Sequence, residues 1–297
     1  MDFLQPRTWT EALEAKAAHP DAVPIAGGTD VMVGINFGHL RPSLLLDLNR
    51  VDGLQEWTTE AGAVRLGAAV SYARVITELG DRLPGLAMAA RTIGSPQIRN
   101  RGTVGGNLAT ASPAGDAHPA LLAADAVVEV ASVRGSRWIP VTEFYTGVKR
   151  NAMDADELVT AVHITPPSGP QQYSKIGTRN AMVIAVAAFG LALQPDRRTV
   201  GAAIGSAAPT PRRVRAAEEF LAGELDGAGL WDSRGALPAG TARRFGELVA
   251  AGAAPIDDVR GTARYRLHAL SVMARRALTW AWADYRNDSG NDSAKEV

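Results

Sequence analysis

Ile93-Gly94-Ser95-Pro96-Gln97-Ile98-Arg99-Asn100-Arg101-Gly102-Thr103-Val104-Gly105-Gly106-Asn107-Leu108-Ala109-Thr110-Ala111-Ser112-Pro113-Ala114-Gly115-Asp116 is the segment that decides how this 297-residue chain is read. It scans as a long Gly-rich loop, Gly94 to Gly115, feeding a helix over Asp116 to Ala124. Glycines lack a Cβ, so successive backbone N–H groups can converge on a phosphate. A second segment of the same kind lies upstream, Ile25-Ala26-Gly27-Gly28-Thr29-Asp30, between a buried strand over Val23 to Ala26 and an apolar helix-like run from Val31 to Ile35. Either Gly-Gly pair alone reads equally as a tight turn. Two such loops in one chain suit a pyrophosphate, and a side chain at Gly28 or Gly105 is then expected to push the backbone off the phosphates or to forbid a positive φ.

The rest of the sequence removes the competing phosphate folds. It contains no G-x-G-x-x-G and no Gly-Lys pair of a Walker loop, and the G-x-S-x-G of a hydrolase elbow is absent. Five histidines (His19, His39, His118, His163, His268) are scattered without metal-ligand spacing. With zero cysteines the chain offers no disulfide, no thiolate nucleophile and no ligand for an iron–sulfur cluster, so its redox chemistry has to be borrowed. Lys+Arg and Asp+Glu both number 31, which removes the basic excess that nucleic-acid binding needs. A hydrophobic share of 46% with 21% charged residues is that of a globular protein. No basic leader precedes an apolar run and no stretch approaches the ~18 apolar residues of a membrane span, so the expected location is cytoplasmic. Lysines are few beside abundant arginines, which reads as coding bias, with Lys175 as the exception.

Strand and helix alternate from the start. Thr8-Trp9-Thr10-Glu11 is a capping box, His19-Pro20 closes its helix, and Leu44 to Leu48 is a second strand, giving a βαβ-like unit. Leu54 to Trp57 and Ala63 to Ala69 suggest a hairpin, followed by helices over Tyr72 to Leu79 and Leu86 to Thr92. Ala126 to Ala131 reads as a strand closed by Arg134-Gly135. Leu158 to Ile164, Tyr173 to Ile176, Val183 to Leu193 and Thr199 to Ile204 read as one antiparallel sheet, interrupted by Pro166 to Pro170. Helices over Arg213 to Leu221, Ala239 to Ala250 and Ala263 to Tyr285 end the chain, the last with Leu267, Leu270, Ala274, Ala277, Leu278 and Ala281 on one face. The expected domains are 1–168, made of two α/β parts split near 55–60, then 169–286, an α+β domain, with 287–297 a disordered tail.

In order, spacing and wording the two Gly-rich blocks resemble the FAD-binding medium subunit of the molybdenum hydroxylases, the xanthine dehydrogenase and carbon monoxide dehydrogenase family. The resemblance covers most of the chain. It implies an α+β fold: a two-part FAD-binding domain of the vanillyl-alcohol oxidase type, followed by a smaller flavoprotein C-terminal domain. It also implies that Ile25, Ala26, Gly27, Gly28, Thr29 and Asp30, with Thr103, Val104, Gly105, Gly106 and Asn107, hold the FAD pyrophosphate through backbone N–H groups and Thr hydroxyls. Ile93 would pack on the isoalloxazine ring, or be an ordinary helix core residue. Asp116 would accept from FAD hydroxyls, or cap the following helix. Val159 would touch the flavin. Lys175 would place a cation near the N1/C2=O edge, where it favours the reduced flavin anion, or be a solvated strand lysine. Arg99 and Arg101 would face either the pyrophosphate or a partner.

The family further implies division of labour. A molybdopterin large subunit would hydroxylate the substrate, a small subunit would carry two 2Fe–2S clusters, and this chain would pass electrons through non-covalent FAD to NAD or another acceptor, in a dimer of heterotrimers. It would hold no metal. The alternatives are a self-sufficient flavin oxidase of the vanillyl-alcohol oxidase type, which would need its own substrate base, and an assembly subunit that has lost FAD.

Overall fold

The computed structural model describes residues 1–288. Its first layer follows the sequence closely: β1 (Asp2–Leu4), α1 (Trp9–Ala18), β2 (Val23–Ile25), α2 (Val31–Asn36) and β3 (Leu44–Asp47). The capping box forms, with Thr8 Oγ1 accepting from the Glu11 amide at 3.2 Å and Glu11 Oε2 from the Thr8 amide at 3.3 Å, so two otherwise orphaned donors are satisfied reciprocally. The strands pair in parallel in the order β1-β3-β2, with Leu45 opposite both Phe3 and Val23.

The second layer opens with a hairpin, β4 (Trp57–Glu60) and β5 (Ala63–Gly67). Ala61 and Gly62 both take positive φ, +48° and +83°, as a two-residue turn between twisted strands requires. The regular first arm is Trp57–Glu60 and not Leu54 to Trp57, and the Glu56 and Leu54 carbonyls carry the same register further by accepting from the Gly67 and Ala69 amides. Two helices follow, α3 (Tyr72–Glu78) and α4 (Pro84–Arg91). The segment read as one long loop contains two more: α5 (Pro96–Arg101), capped by Ser95 with Pro96 at its first position, and α6 (Val104–Thr110), capped by Thr103. Local Ser and Thr capping outweighs the glycine content that suggested a loop. Then come α7 (Ala117–Ala123), β6 (Val127–Ser132), β7 (Gly135–Pro140), α8 (Val141–Phe144), β8 (Tyr145–Gly147), β9 (Arg150–Asn151) and β10 (Leu158–Ile164). Antiparallel pairing gives a five-stranded sheet, β4-β5-β10-β6-β7.

Here the strand assignment is corrected: Leu158–Ile164 lies in the middle of this sheet, not with the strands after it. The proline-rich run 166–170 cannot continue a ladder, and the chain leaves for another sheet. That sheet is β11 (Gln171–Ile176), β12 (Ala187–Gln194), β13 (Thr199–Gly205) and β14 (Arg212–Arg213) in sequential order. The long strand expected from Val183 begins only at Ala187, after a turn that includes Met182 at φ +50°. Every residue of β12 is buried, because α7 covers one face of the sheet and α9 (Arg215–Gly227) with α12 (Ala263–Asn287) the other. Small residues allow the approach: a Cβ on Gly190 would come within 2.6 Å of the Pro119 carbonyl oxygen. The short α10 (Leu230–Ser233) and α11 (Thr241–Ala251) complete the second core with Phe245 and Trp231. On α12 the expected apolar face is buried except Leu267, which is half-buried beside the buried Arg266. The helix runs to Asn287, and of the expected tail, residues 289–297 lie outside the described residues. No helix among the described residues is long and apolar enough to cross a membrane.

Candidate functional site

The two Gly-rich segments meet. Gly27 is pressed against the end of α5 so closely that a Cβ on it would overlap the Arg101 carbonyl, and Gly28 takes φ +74° beside it. Between these segments and the start of α7 opens a cavity of about 680 Å³, a size common to cofactor sites. Ala26, Gly27, Gly28, Thr29 and Asp30 line it from one side and Thr103, Gly105, Gly106 and Asn107 from another, joined by Ile93, Asp116 and Val159. Ile25, which ends β2, and the fully buried Val104 stand behind the wall. Val159 is turned inward where β10 bulges between Val159 and Ala161. Arg99 does not line the cavity; its Nη1 donates to the Ile93 and Gly94 carbonyls at 3.0 and 3.1 Å and so braces the turn that presents Ile93. Arg101 is exposed and reaches toward the Ala26 carbonyl and Asn49 Oδ1 at 3.5 Å.

The segments differ in a way their sequences do not show. In the first, the amides of Gly27, Gly28, Thr29, Asp30 and Val31 find no acceptor among the described residues. In the second they are spent: Val104 donates to the Val70 carbonyl, Gly105 to that of Ala68, Gly106 to Thr103 Oγ1 and Asn107 to the Thr103 carbonyl. Helix α6 is thereby pinned to the chain leaving β5. Gly105 follows from the same packing, for a Cβ there would meet the Ala68 side chain and carbonyl at 2.6 Å, while its own φ is helical. What the second segment offers the cavity is the Thr103 hydroxyl and the Asn107 side chain, whose buried Oδ1 has no partner among the described residues.

Asp116 and Lys175, 59 positions apart, form a buried pair. Lys175 Nζ lies 2.6 Å from Asp116 Oδ2 and donates to the Thr92 carbonyl at 3.1 Å, while the Tyr173 hydroxyl reaches Asp116 Oδ1 at 3.4 Å. The lysine side chain is 6% exposed and the aspartate 10%. Burial pushes the Asp116 carboxyl above its usual range, and the Lys175 ammonium works against that shift. Lys175 is thus separated from the cavity by Asp116, neither solvated nor itself part of the wall. Behind Gly115, His118 is fully buried with Nδ1 2.7 Å from the Tyr145 hydroxyl, and burial holds its imidazole down at about 3 from an ordinary 6.5. The unfolded chain therefore binds a proton that the native state refuses, and stability is lost as pH falls from about 6.5 toward 3. Urea melts at pH 7 and pH 5 are expected to differ by about 2 kcal/mol through this group, and His118→Gln is expected to flatten that difference.

Residues 1–167 match the family described as FAD binding domain in molybdopterin dehydrogenase, and residues 172–281 match the CO dehydrogenase flavoprotein C-terminal domain. The chain belongs to this family of FAD-binding subunits. It is 34% identical over 238 residues to the nicotinate dehydrogenase FAD-subunit of Eubacterium barkeri, covering 75% of this chain and 79% of that one. It is 29% identical to the putative xanthine dehydrogenase FAD-binding subunit of Escherichia coli strain K12, covering 93% and 94%. The structure of carbon monoxide dehydrogenase from Oligotropha carboxidovorans superposes with a TM-score of 0.87 at 28% identity, over 96% of this chain and 98% of that chain.

The cavity of this FAD-binding subunit suits the cofactor chemically. Five unspent amides in succession match the oxygens of a pyrophosphate. Asp116 keeps acceptor capacity beyond its two contacts, because a carboxylate has about four lone-pair sites. No histidine or cysteine is among the lining residues. Sequence reasoning missed Ile98, Tyr72, Asn151, Ile184 and Lys16, all of which line the cavity. For Lys16 a signal existed, since a lysine is as unusual there as at position 175; for the others the sequence carries none.

Proposed function

We propose that this subunit takes electrons from 2Fe–2S clusters on a small partner chain, themselves reduced by a molybdopterin large chain, and delivers them through non-covalent FAD to NAD or another acceptor. A dimer of heterotrimers in the cytoplasm is part of the same proposal. The observation that carries it is the run of five free amides, Gly27 to Val31, facing one cavity with Thr103, Asn107 and Asp116. The bound flavin supplies the redox chemistry; the chain binds it, orients it and sets its electrostatics. The first loop would hold the pyrophosphate, Asp116 the sugar-like hydroxyls, and Ile93 with Val159 the apolar walls. Residues 1–168 would carry these contacts, while 169–286 would supply the Lys175 support for Asp116.

The test uses the purified chain. Denaturation is expected to release FAD into solution, and FMN in its place, or flavin left on the precipitate, would overturn the assignment. Mixed anaerobically with purines, aldehydes or N-heterocycles, the FAD-loaded chain alone is expected to keep its visible absorption, and to be bleached by dithionite. Substrate-dependent bleaching is expected only after the two partner chains are added. Rapid bleaching without them would point instead to a self-sufficient oxidase.

A further inference from the structure

Lys16 is one of four lysines in the chain and stands in the last turn of α1. Its residue is 6% exposed, and it lines the cavity. Nζ donates to the Pro20 carbonyl at 2.6 Å and to the Ala22 carbonyl at 2.8 Å. An ammonium has three protons, and the third has no acceptor among the described residues. Asp21, the nearest acid in its electrostatic effect, is exposed and makes no ion pair with Lys16, and the others are committed elsewhere: Asp154 and Asp156 to Arg134, Glu157 to Arg137. A buried cation with no carboxylate partner is costly, and an open donor at a cavity wall is where a ligand would meet it.

Position within the fold says which part of a ligand. The free amides begin at Gly27, beyond the C-terminal end of β2, whereas the ammonium is bonded to Ala22, before its first residue. Strand β2 keeps most of this stretch extended, so five residues at about 3.3 Å each set the two roughly 16 Å apart. That is too far for the same phosphate and about the reach of a nucleoside beyond it. Pro20, Val23, Pro24 and Met153 line the cavity with Lys16 and offer apolar faces to a planar base. Adenine carries ring nitrogens that accept hydrogen bonds.

We propose that Lys16 donates to an acceptor nitrogen of the FAD adenine and so makes this cavity select FAD over FMN. The inference rests on the FAD reading above and adds a residue to it. Two carbonyl bonds alone would make Lys16 a brace for the turn after α1, and a brace affects stability without affecting ligand choice.

The apo chain, with Lys16→Met and Lys16→Gln, is titrated with FAD, FMN and AMP. Wild type is expected to prefer FAD. Lys16→Met is expected to weaken FAD and AMP tenfold or more while FMN stays within twofold. Lys16→Gln keeps a donor for the Pro20 carbonyl, so it serves if the methionine variant does not fold, and its FAD-to-FMN preference is expected to fall at least threefold. Equal weakening of FAD and FMN, or unchanged FAD binding in a folded variant, would overturn the proposal and leave Lys16 as a brace. Failure of wild type to bind FAD at all would instead overturn the underlying reading.

Discussion

Gly27→Val is expected to leave the chain folded and to weaken FAD binding at least a hundredfold. A Cβ at this position would collide with backbone, the carbonyl group of Arg101, which no rotamer change can relieve. The first loop has to move, and the amides from Gly27 to Val31 move with it. Each charge-assisted hydrogen bond lost to a phosphate is worth about 1.5–3 kcal/mol, so losing two already costs more than two decades of affinity. Gly28→Ala is expected to do less, since its Cβ meets only the Ile25 and Met32 side chains at ordinary contact and the strain is that of a left-handed backbone. Gly223→Ala, with nothing within 4 Å of its Cβ, is the control. Visible absorbance of the purified variants and fluorescence titration with FAD read the effect. A folded Gly27→Val chain with full flavin occupancy would refute the loop's role.

Lys175→Met is expected to destabilise the chain by about 3–5 kcal/mol at neutral pH, the usual result of leaving one member of a buried ion pair behind. Its sign with pH follows from Asp116. Burial already raises that carboxyl, and with the ammonium gone nothing but the Tyr173 contact opposes the shift. A carboxyl raised in the native state binds its proton there first, so the variant's deficit is expected to shrink as pH falls and Asp116 becomes neutral. Asp116→Asn in the Lys175→Met background is expected to recover much of the loss, and a double-mutant cycle by urea unfolding measures it. Equal destabilisation at pH 5 and pH 8 would mean that the pair matters for packing alone. In the assembled complex the same variant is expected to slow turnover more than it weakens FAD binding, by removing the positive charge that pairs with Asp116 at the cavity wall.

Local signals carried the sequence a long way. The capping box at Thr8, the Ala61-Gly62 turn, the glycine segments and the apolar face of α12 each depend on a few consecutive residues, whose backbone preferences and spacing can be read without knowing what lies across from them. For that reason most elements, the two loops and the borrowed redox group were all legible, and among the local misreadings the long loop over α5 and α6 came from weighing glycine content above the Ser95 and Thr103 caps. Three matters were decided only by tertiary structure. Leu158–Ile164 has the same apolar pattern in either sheet, and its place in the middle of the first depends on partners 30 and about 95 residues away. Which loop keeps its amides free depends on whether Val70 and Ala68 carbonyls lie close enough to take them. Asp116 and Lys175 neutralise each other, and Lys16 has no carboxylate within ion-pair distance among the described residues, because folding fixes which charges share a dry interior, and Coulomb attraction there depends on separation in space and not along the chain.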